Sequence, residues 1–280
     1  MPSAFAPVGF SLGAVFSWGT SDFLGGFGTR RHNAFVFTTL VSCGGLVYLG
    51  VLTAITRVPF PPAKGAAWAM LGGMTGGACL ALFYRALSSG SMGLAAPVAA
   101  VIAAGIPAVV GIFTQGLPAR ITMAGLALAV CGLWLVAGSA GKSSNTASLG
   151  LAALAGVGFA CFFLCIHQAG SGSPIWFALF TRAGGLISTG LVVLAQGRAD
   201  ELVTGRVWWA ALVGCLDSTG TIFFVHASQV GRLDEAVVLS SLYPAVTVIL
   251  ARIVLGEHFS PRKLVGLLAI LASVPMIAAG

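Results

Sequence analysis

Three ionisable side chains lie well inside long apolar stretches of this chain, where such groups are unusual. Asp22, Arg182 and Asp217 each interrupt a run of residues that otherwise suits the interior of a membrane. A charged group in the hydrocarbon core of a bilayer is costly, so such residues face a partner or a water-filled cavity. There they can hold a charged solute, or bind and release a proton. The alternative for Asp22 is an ion pair with an arginine such as Arg182, which would only join two helices.

The first of these acids belongs to a polar and aromatic stripe. Trp18, Ser21, Asp22 and Gly25 follow one another at the i, i+3, i+4 and i+7 spacing that places residues on one face of a helix. A stripe of this composition suits the wall of a cavity.

The remaining candidate residues lie on other predicted helices. Asp217 is followed one turn later by Thr221, which favours a cavity wall there as well. Tyr84 and Tyr243 could place a ring in the cavity or lie in an aromatic belt at the membrane surface, and His226 could instead make a structural hydrogen bond. The residues predicted to bind a substrate or to take part in coupling are Trp18, Ser21, Asp22, Tyr84, Arg182, Asp217, Thr221, His226 and Tyr243.

Two prolines, Pro107 and Pro244, fall in the interiors of apolar segments. Each lacks the N–H that would bond to the carbonyl one turn back along a helix, and so permits a kink. In membrane proteins such breaks provide gating joints or expose backbone to a ligand. A purely structural kink is the alternative for both.

The elements that must position these residues are membrane-spanning helices. Of the 280 residues, 58% are hydrophobic and 8% are charged, and the mean hydropathy is +1.00. A soluble domain carries about 25% charged residues, so most of this surface faces lipid. The net charge of +7 comes from lysines and arginines scattered between the apolar runs, a pattern typical of interfacial anchors rather than of a nucleic-acid surface.

The apolar runs divide the chain into about ten segments, each near the ~20 residues that a helix needs to cross a bilayer. The predicted spans are residues 7–29, 33–56, 65–88, 92–114, 121–138, 148–169, 174–196, 207–229, 234–255 and 262–279. No connection between them exceeds roughly a dozen residues, which excludes a soluble catalytic or ATP-hydrolysing domain between spans. No cofactor or metal is predicted, because no further cluster completes a zinc site around Cys161, Cys165 and His167.

The second half of the sequence repeats the first. A shift of 141 residues superposes Trp68 on Trp209, Gly73 on Gly214, Phe83 on Phe224 and Gly125 on Gly266. Residues 1–141 and 142–280 are therefore predicted to be two homologous five-helix repeats. An odd number of spans inverts the second copy relative to the first, which places a site between them near the middle of the membrane. The predicted fold is an all-α integral membrane protein of about ten transmembrane helices, two inverted five-helix repeats around a central cavity.

Several short motifs occur in order along this frame: Trp18-Gly19, Tyr84-Arg85-Ala86-Leu87, Tyr243-Pro244, Leu255-Gly256-Glu257 and Gly266. The ordered set resembles the drug/metabolite transporter superfamily and, within it, the ten-helix EamA-type exporters. The resemblance implies a central cavity lined by spans 1, 3, 4, 6, 8 and 9, with spans 5 and 10 packed outside. It also implies export of amino acids or related metabolites, driven by a gradient of substrate or ions rather than by ATP.

These observations together predict a secondary transporter of small metabolites that lies in the cell membrane and works by alternating access. Amino acids are the substrates expected first, with a proton as an open choice of coupling ion. Two alternatives remain: a transporter of organic cations or drugs, and a membrane-embedded regulatory or assembly protein. An enzyme is not predicted, because the acid clusters and the Gly-x-Ser-Gly and His sets of lipid-processing enzymes are missing. The orientation of the chain in the membrane and its oligomeric state stay open.

Overall fold

The computed structural model describes residues 5–89, 92–137, 146–204, 209–256 and 260–278. Within these ranges the chain is built of helices, without a strand. In chain order they are α1 (Phe5–Gly28), α2 (Ala34–Thr56), α3 (Ala63–Ser89), α4 (Met92–Gln115), α5 (Arg120–Ala137), α6 (Thr146–Ala169), α7 (Pro174–Ala195), α8 (Glu201–Thr204), α9 (Ala210–Val230), α10 (Leu233–Ser240), α11 (Tyr243–Leu255) and α12 (Pro261–Ala278).

The helices match the predicted spans one by one, with α10 and α11 together forming the ninth span and the four-residue α8 lying outside the spans. In the described part of the chain, seven helical segments are long and apolar enough to cross a membrane. Large apolar side chains such as Phe113 and Ile253 are 85% and 73% exposed, as surfaces that face lipid require. The prediction of an all-α integral membrane protein is confirmed.

Local polar groups define where α2 begins and how its hydroxyls are satisfied. The side chain of Asn33 accepts hydrogen bonds from the backbone N–H groups of Phe35 and Val36, at 2.9 and 3.3 Å. This is the N-cap that the first turn of a helix needs. Farther along, the Thr38 hydroxyl donates to the carbonyl of Ala34 at 2.8 Å. Such bonds satisfy a buried hydroxyl within its own helix, away from water.

The ninth span is broken near its middle. α10 ends at Ser240 and α11 begins at Tyr243, with Pro244 in the first turn of the new helix. Because proline has no N–H to donate, it fits a helix start better than a helix interior. α4, by contrast, is continuous through Pro107. The predicted break is therefore present at one of the two prolines, and a gating role for either stays a prediction.

Helix packing relates the two repeats as a near-symmetric pair. α1 to α5 form the first repeat, and α6, α7, α9, α10–α11 and α12 take the same places in the second. α1 packs along α9 of the other repeat, and its counterpart α6 packs along α3. Likewise, α2 packs on α9 and α7 packs on α3, whereas α5 and α12 pair mainly with each other. The two-repeat architecture is thus present in the packing as well as in the sequence.

Glycines at equivalent positions let these helices approach closely. Gly73 on α3 lies against the backbone of Thr181 on α7. Gly214, 141 positions later on α9, lies against the backbone of Val41 on α2. A Cβ atom at either glycine would overlap the neighbouring backbone, so both contacts require glycine. They bring the central turns of α3, α7, α9 and α2 close enough for their side chains to meet.

Polar side chains after α9 tie neighbouring loops together. Arg232 donates two hydrogen bonds to the Asp234 carboxylate, at 3.1 and 3.0 Å, and one to the carbonyl of Gly116, at 2.7 Å. The hydrogen bonds with Asp234 raise the pKa of Arg232 above its ordinary value, so the guanidinium stays charged. Asp234 itself is fully buried. The connection between α9 and α10 is thereby fixed to the end of α4.

Candidate functional site

Six helices line a cavity of about 70 Å³. Its wall comes from α1, α3, α6, α7, α9 and α11, which are spans 1, 3, 6, 7, 8 and 9. The expectation that span 4 lines the cavity is wrong, because α4 packs against α5, α6 and α10 instead. Span 7 takes part in its place, since the contact between Gly73 and Thr181 draws α7 against α3.

An ion pair crosses one side of this cavity. The guanidinium of Arg182 on α7 contacts the carboxylate of Asp217 on α9, and both residues are buried. The same guanidinium lies 3.5 Å from the hydroxyl of Thr221, which in turn donates to the backbone carbonyl of Asp217 at 3.0 Å. Arg182 and Asp217 therefore compensate each other's charge, and Thr221 braces the pair.

A second carboxylate lines the same cavity from α1. Asp22 is 5% exposed, and no hydrogen bond or ion pair joins its carboxylate to any residue that the structure describes. The pair between Asp22 and Arg182 that the sequence allowed is not formed, because Arg182 is engaged by Asp217. Asp22 is thus a buried acid that lines the cavity without a partner among the described residues.

Aromatic rings close the cavity around these charges. The indole N–H of Trp18 donates to the backbone carbonyl of Asp217 at 3.1 Å. Its ring lies 6.0 Å from the ring of Phe163 and, edge to face, 6.4 Å from that of Tyr243, measured between centroids. The hydroxyl of Tyr243 is buried without a hydrogen-bond partner in the described part of the chain. The wall therefore combines π faces with polar groups, such as the Tyr243 hydroxyl, that have no partner among the residues the structure describes.

Four pairs of lining residues are related by the internal repeat. Residues 141 positions apart that both line the cavity are Trp18 and Phe159, Asp22 and Phe163, Gly76 and Asp217, and Leu80 and Thr221. The backbone thus presents equivalent positions to the cavity from both repeats. The side chains at those positions differ: Asp22 corresponds to Phe163, and Asp217 corresponds to Gly76, so each acid has an uncharged residue at the equivalent position.

Three predicted site residues are not part of the cavity wall. Ser21 is fully buried beside Asp22. Tyr84 is fully buried, with its ring 6.1 Å from that of Phe37. His226 is half-buried and stacks on Phe10, with ring centroids 4.9 Å apart. The structure gathers the other six around the cavity: Trp18, Asp22, Arg182, Asp217, Thr221 and Tyr243.

Sequence reasoning missed several lining residues on α6 and α7. Phe159, Phe162 and Phe163 supply rings, and Thr181 supplies a hydroxyl. The internal repeat could have indicated Phe159, since it lies 141 positions after Trp18 and so takes the equivalent position in the second repeat. Among the described residues, no group of three or more His, Cys, Asp or Glu side chains could hold a metal ion.

Comparison with known protein families adds to this geometry. The family model of the EamA-like transporter family matches the sequence twice, over residues 6–138 and 146–279. The chain belongs to the EamA-like transporter family. This EamA-like protein is accordingly a multi-pass membrane protein that transports small molecules. The two matches fall on the two repeats, while a boundary after residue 141 stays a prediction.

Solved structures share the fold of this EamA-like transporter. One crystal structure, described only as that of a protein, superposes with a TM-score of 0.68 at 15% sequence identity, covering 96% of this chain and 95% of its own. At that identity the likeness concerns the fold alone. No curated protein matches the sequence.

Proposed function

We propose that this EamA-like transporter exports small metabolites that carry an amino group, amino acids first, by alternating access without ATP. The observation that carries the proposal is the cavity wall, where Arg182 and two carboxylates lie among aromatic rings. An amino acid offers a carboxylate, an ammonium and a side chain. The guanidinium suits the carboxylate, the carboxylates of the wall suit an ammonium group, and the rings suit the side chain.

The symmetry of the packing supports alternating access as the mechanism. The contacts of α1 with α9 and of α6 with α3 occupy equivalent places in the two repeats. If the repeats exchange conformations, the cavity opens first to one side of the membrane and then to the other. The driving force in this proposal is a gradient of substrate or of protons, with Asp22 as the group that would take the proton. We place the protein in the cell membrane.

A second candidate is a transporter of organic cations. The supporting observation is that Asp22 has no partner among the described residues and shares its cavity with the rings of Trp18 and Phe163. A carboxylate beside π faces attracts a bulky cation that has no carboxylate of its own. The candidates differ in their need for Arg182, which only an amino acid would engage.

The test is flux into proteoliposomes containing the purified protein. Labelled amino acids, organic cations and nucleoside-type metabolites are compared with and without a pH gradient, using the wild type, Asp22→Asn, Asp217→Asn and Arg182→Gln. Glu201→Gln is the matched control, because that acid is exposed in a surface ion pair. Saturable amino-acid flux that the three cavity variants lose and the control keeps supports the proposal. Flux of cations that survives Arg182→Gln favours the second candidate, and absence of all flux favours a regulatory protein.

A further inference from the structure

The cavity wall holds two acidic residues and one basic residue. Its ionisable residues with a formal charge at neutral pH are Asp22, Arg182 and Asp217. Arg182 and Asp217 form an ion pair and cancel, so that an ionised Asp22 is the one lining residue described whose charge is not compensated. A charge that is removed from water without a partner is unfavourable by several kcal/mol. A bound solute is therefore expected to supply the missing positive charge.

The surroundings of Asp22 leave its carboxylate available to a solute. It is more than nine-tenths buried, it lines the cavity, and it is joined to no other described residue by a hydrogen bond or ion pair. Thr221 does not compete for it, since its hydroxyl donates to the backbone carbonyl of Asp217. The indole N–H of Trp18 donates to that same carbonyl. The side-chain donors of Trp18 and Thr221 are thus directed to the backbone and not to Asp22.

From this charge balance we infer that Asp22 is a specificity-determining residue that selects solutes with one net positive charge, such as basic amino acids, over neutral amino acids. The inference rests on the proposed function and narrows its substrate class. A neutral zwitterion adds no net charge, so solute and wall together would keep one negative charge however their groups pair. A solute such as lysine brings the total to zero. Its second ammonium group binds Asp22, beside the rings of Trp18 and Phe163.

A proton on Asp22 is the rival source of positive charge. In that case the wall would be neutral before a solute arrives, and neutral amino acids would be accepted together with the proton. The two sources predict opposite preferences between solutes of equal length and different charge. L-lysine and L-norleucine form such a pair, because norleucine carries a methyl group where lysine carries its side-chain ammonium.

The first experiment measures binding to the purified wild-type protein by ligand-dependent thermal stabilisation, and so does not depend on transport. We expect lysine to bind about tenfold more tightly than norleucine or better, and Asp22→Asn to remove the preference while keeping norleucine binding. Glu201→Gln is expected to keep the preference, because that acid lies outside the cavity. Equal binding of the two solutes by the wild type, or a lysine preference that survives Asp22→Asn, would overturn the inference.

Two further measurements separate the possible failures. If Asp22→Asn does not fold, Asp22→Glu retains the charge and must retain the lysine preference. If proteoliposomes carry norleucine together with a proton and do not carry lysine, Asp22 binds the proton; the inference is then overturned and the proposed function stands. If lysine binds with the expected preference and no amino acid crosses the membrane, the inference stands and the proposed function fails.

Discussion

Trp18 donates its indole N–H to the backbone carbonyl of Asp217, 199 positions away in the sequence. The bond joins α1 of the first repeat to α9 of the second at the level of the Arg182–Asp217 ion pair. Phe159, the counterpart of Trp18 in the second repeat, has a side chain without an N–H to donate. Only one of the two equivalent contacts between repeats is therefore reinforced by such a bond.

Trp18→Phe is expected to destabilise the protein by about 1 kcal/mol, because it removes one buried hydrogen bond and retains a ring. The measurement is thermal unfolding in detergent. Trp134→Phe is the matched control, since Trp134 is 67% exposed on the lipid-facing surface. An equal loss in both variants would show that the hydrogen bond to Asp217 contributes nothing specific.

Asp217→Asn is expected to destabilise the protein by about 3–5 kcal/mol, since it leaves the guanidinium of Arg182 buried without its counter-charge. The double variant Arg182→Met, Asp217→Leu should recover most of that stability, because it removes both charges together. Solute binding should be lost in both variants. Unfolding of the single variants Arg182→Met and Asp217→Leu, the double variant and the wild type forms a thermodynamic cycle, and simple additivity of the two single effects would contradict a coupled pair.

Gly73→Ala and Gly214→Ala are each expected to destabilise the fold by about 1–3 kcal/mol, because the added methyl group would overlap the backbone of the opposite repeat. Gly50→Ala is the control, since nothing lies within 4 Å of the position its Cβ would take. Thermal unfolding again gives the comparison. Similar losses of stability are expected at the two equivalent positions. Unchanged stability in both variants would contradict the close backbone contacts.

Asp234→Asn is expected to loosen the connection between α9 and α10 by about 1.5–3 kcal/mol, because Arg232 loses a buried charged acceptor. Hydrogen exchange of the backbone at residues 232–236 should become faster while exchange in α2 stays unchanged. Arg198→Gln is the matched control, because its ion pair with Glu201 is exposed and should contribute well under about 1 kcal/mol. Unchanged exchange at 232–236 would mean that Arg232 is held by its other contacts alone.

The spans and the duplication could be predicted because apolar run length and a constant sequence shift are properties of the chain itself. The cost of charge in a bilayer likewise indicated Asp22, Arg182 and Asp217. The direction of each side chain was harder to predict. Ser21 and Asp22 are adjacent on one predicted stripe, yet only Asp22 reaches the cavity. That difference depends on how α1 is rotated against its neighbours, which no residue on α1 specifies alone.

The sequence also left open which acid Arg182 contacts and which helices supply the rings. The partner of Arg182 depends on the backbone contacts at Gly73 and Gly214, which bring α7 and α9 close to the helices around the cavity. The rings of the cavity wall include Phe162 and Phe163, which cannot be told from lipid-facing phenylalanines when the sequence of α6 is considered alone. Both features depend on packing between segments that are distant in the sequence. The spacing of residues within one segment does not determine that packing.

The four pairs of lining positions show what fusion of two copies into one chain makes possible. A symmetric dimer of a single five-helix unit would have to place the same residue at both members of each pair. An aspartate at position 22 would then meet a second aspartate across the axis, and the aspartate at 217 would likewise be doubled. In the fused chain, phenylalanine and glycine stand at those counterpart positions instead. The two halves of the gene can therefore diverge, so that one copy encodes a charged residue where the other encodes an aromatic ring or a glycine.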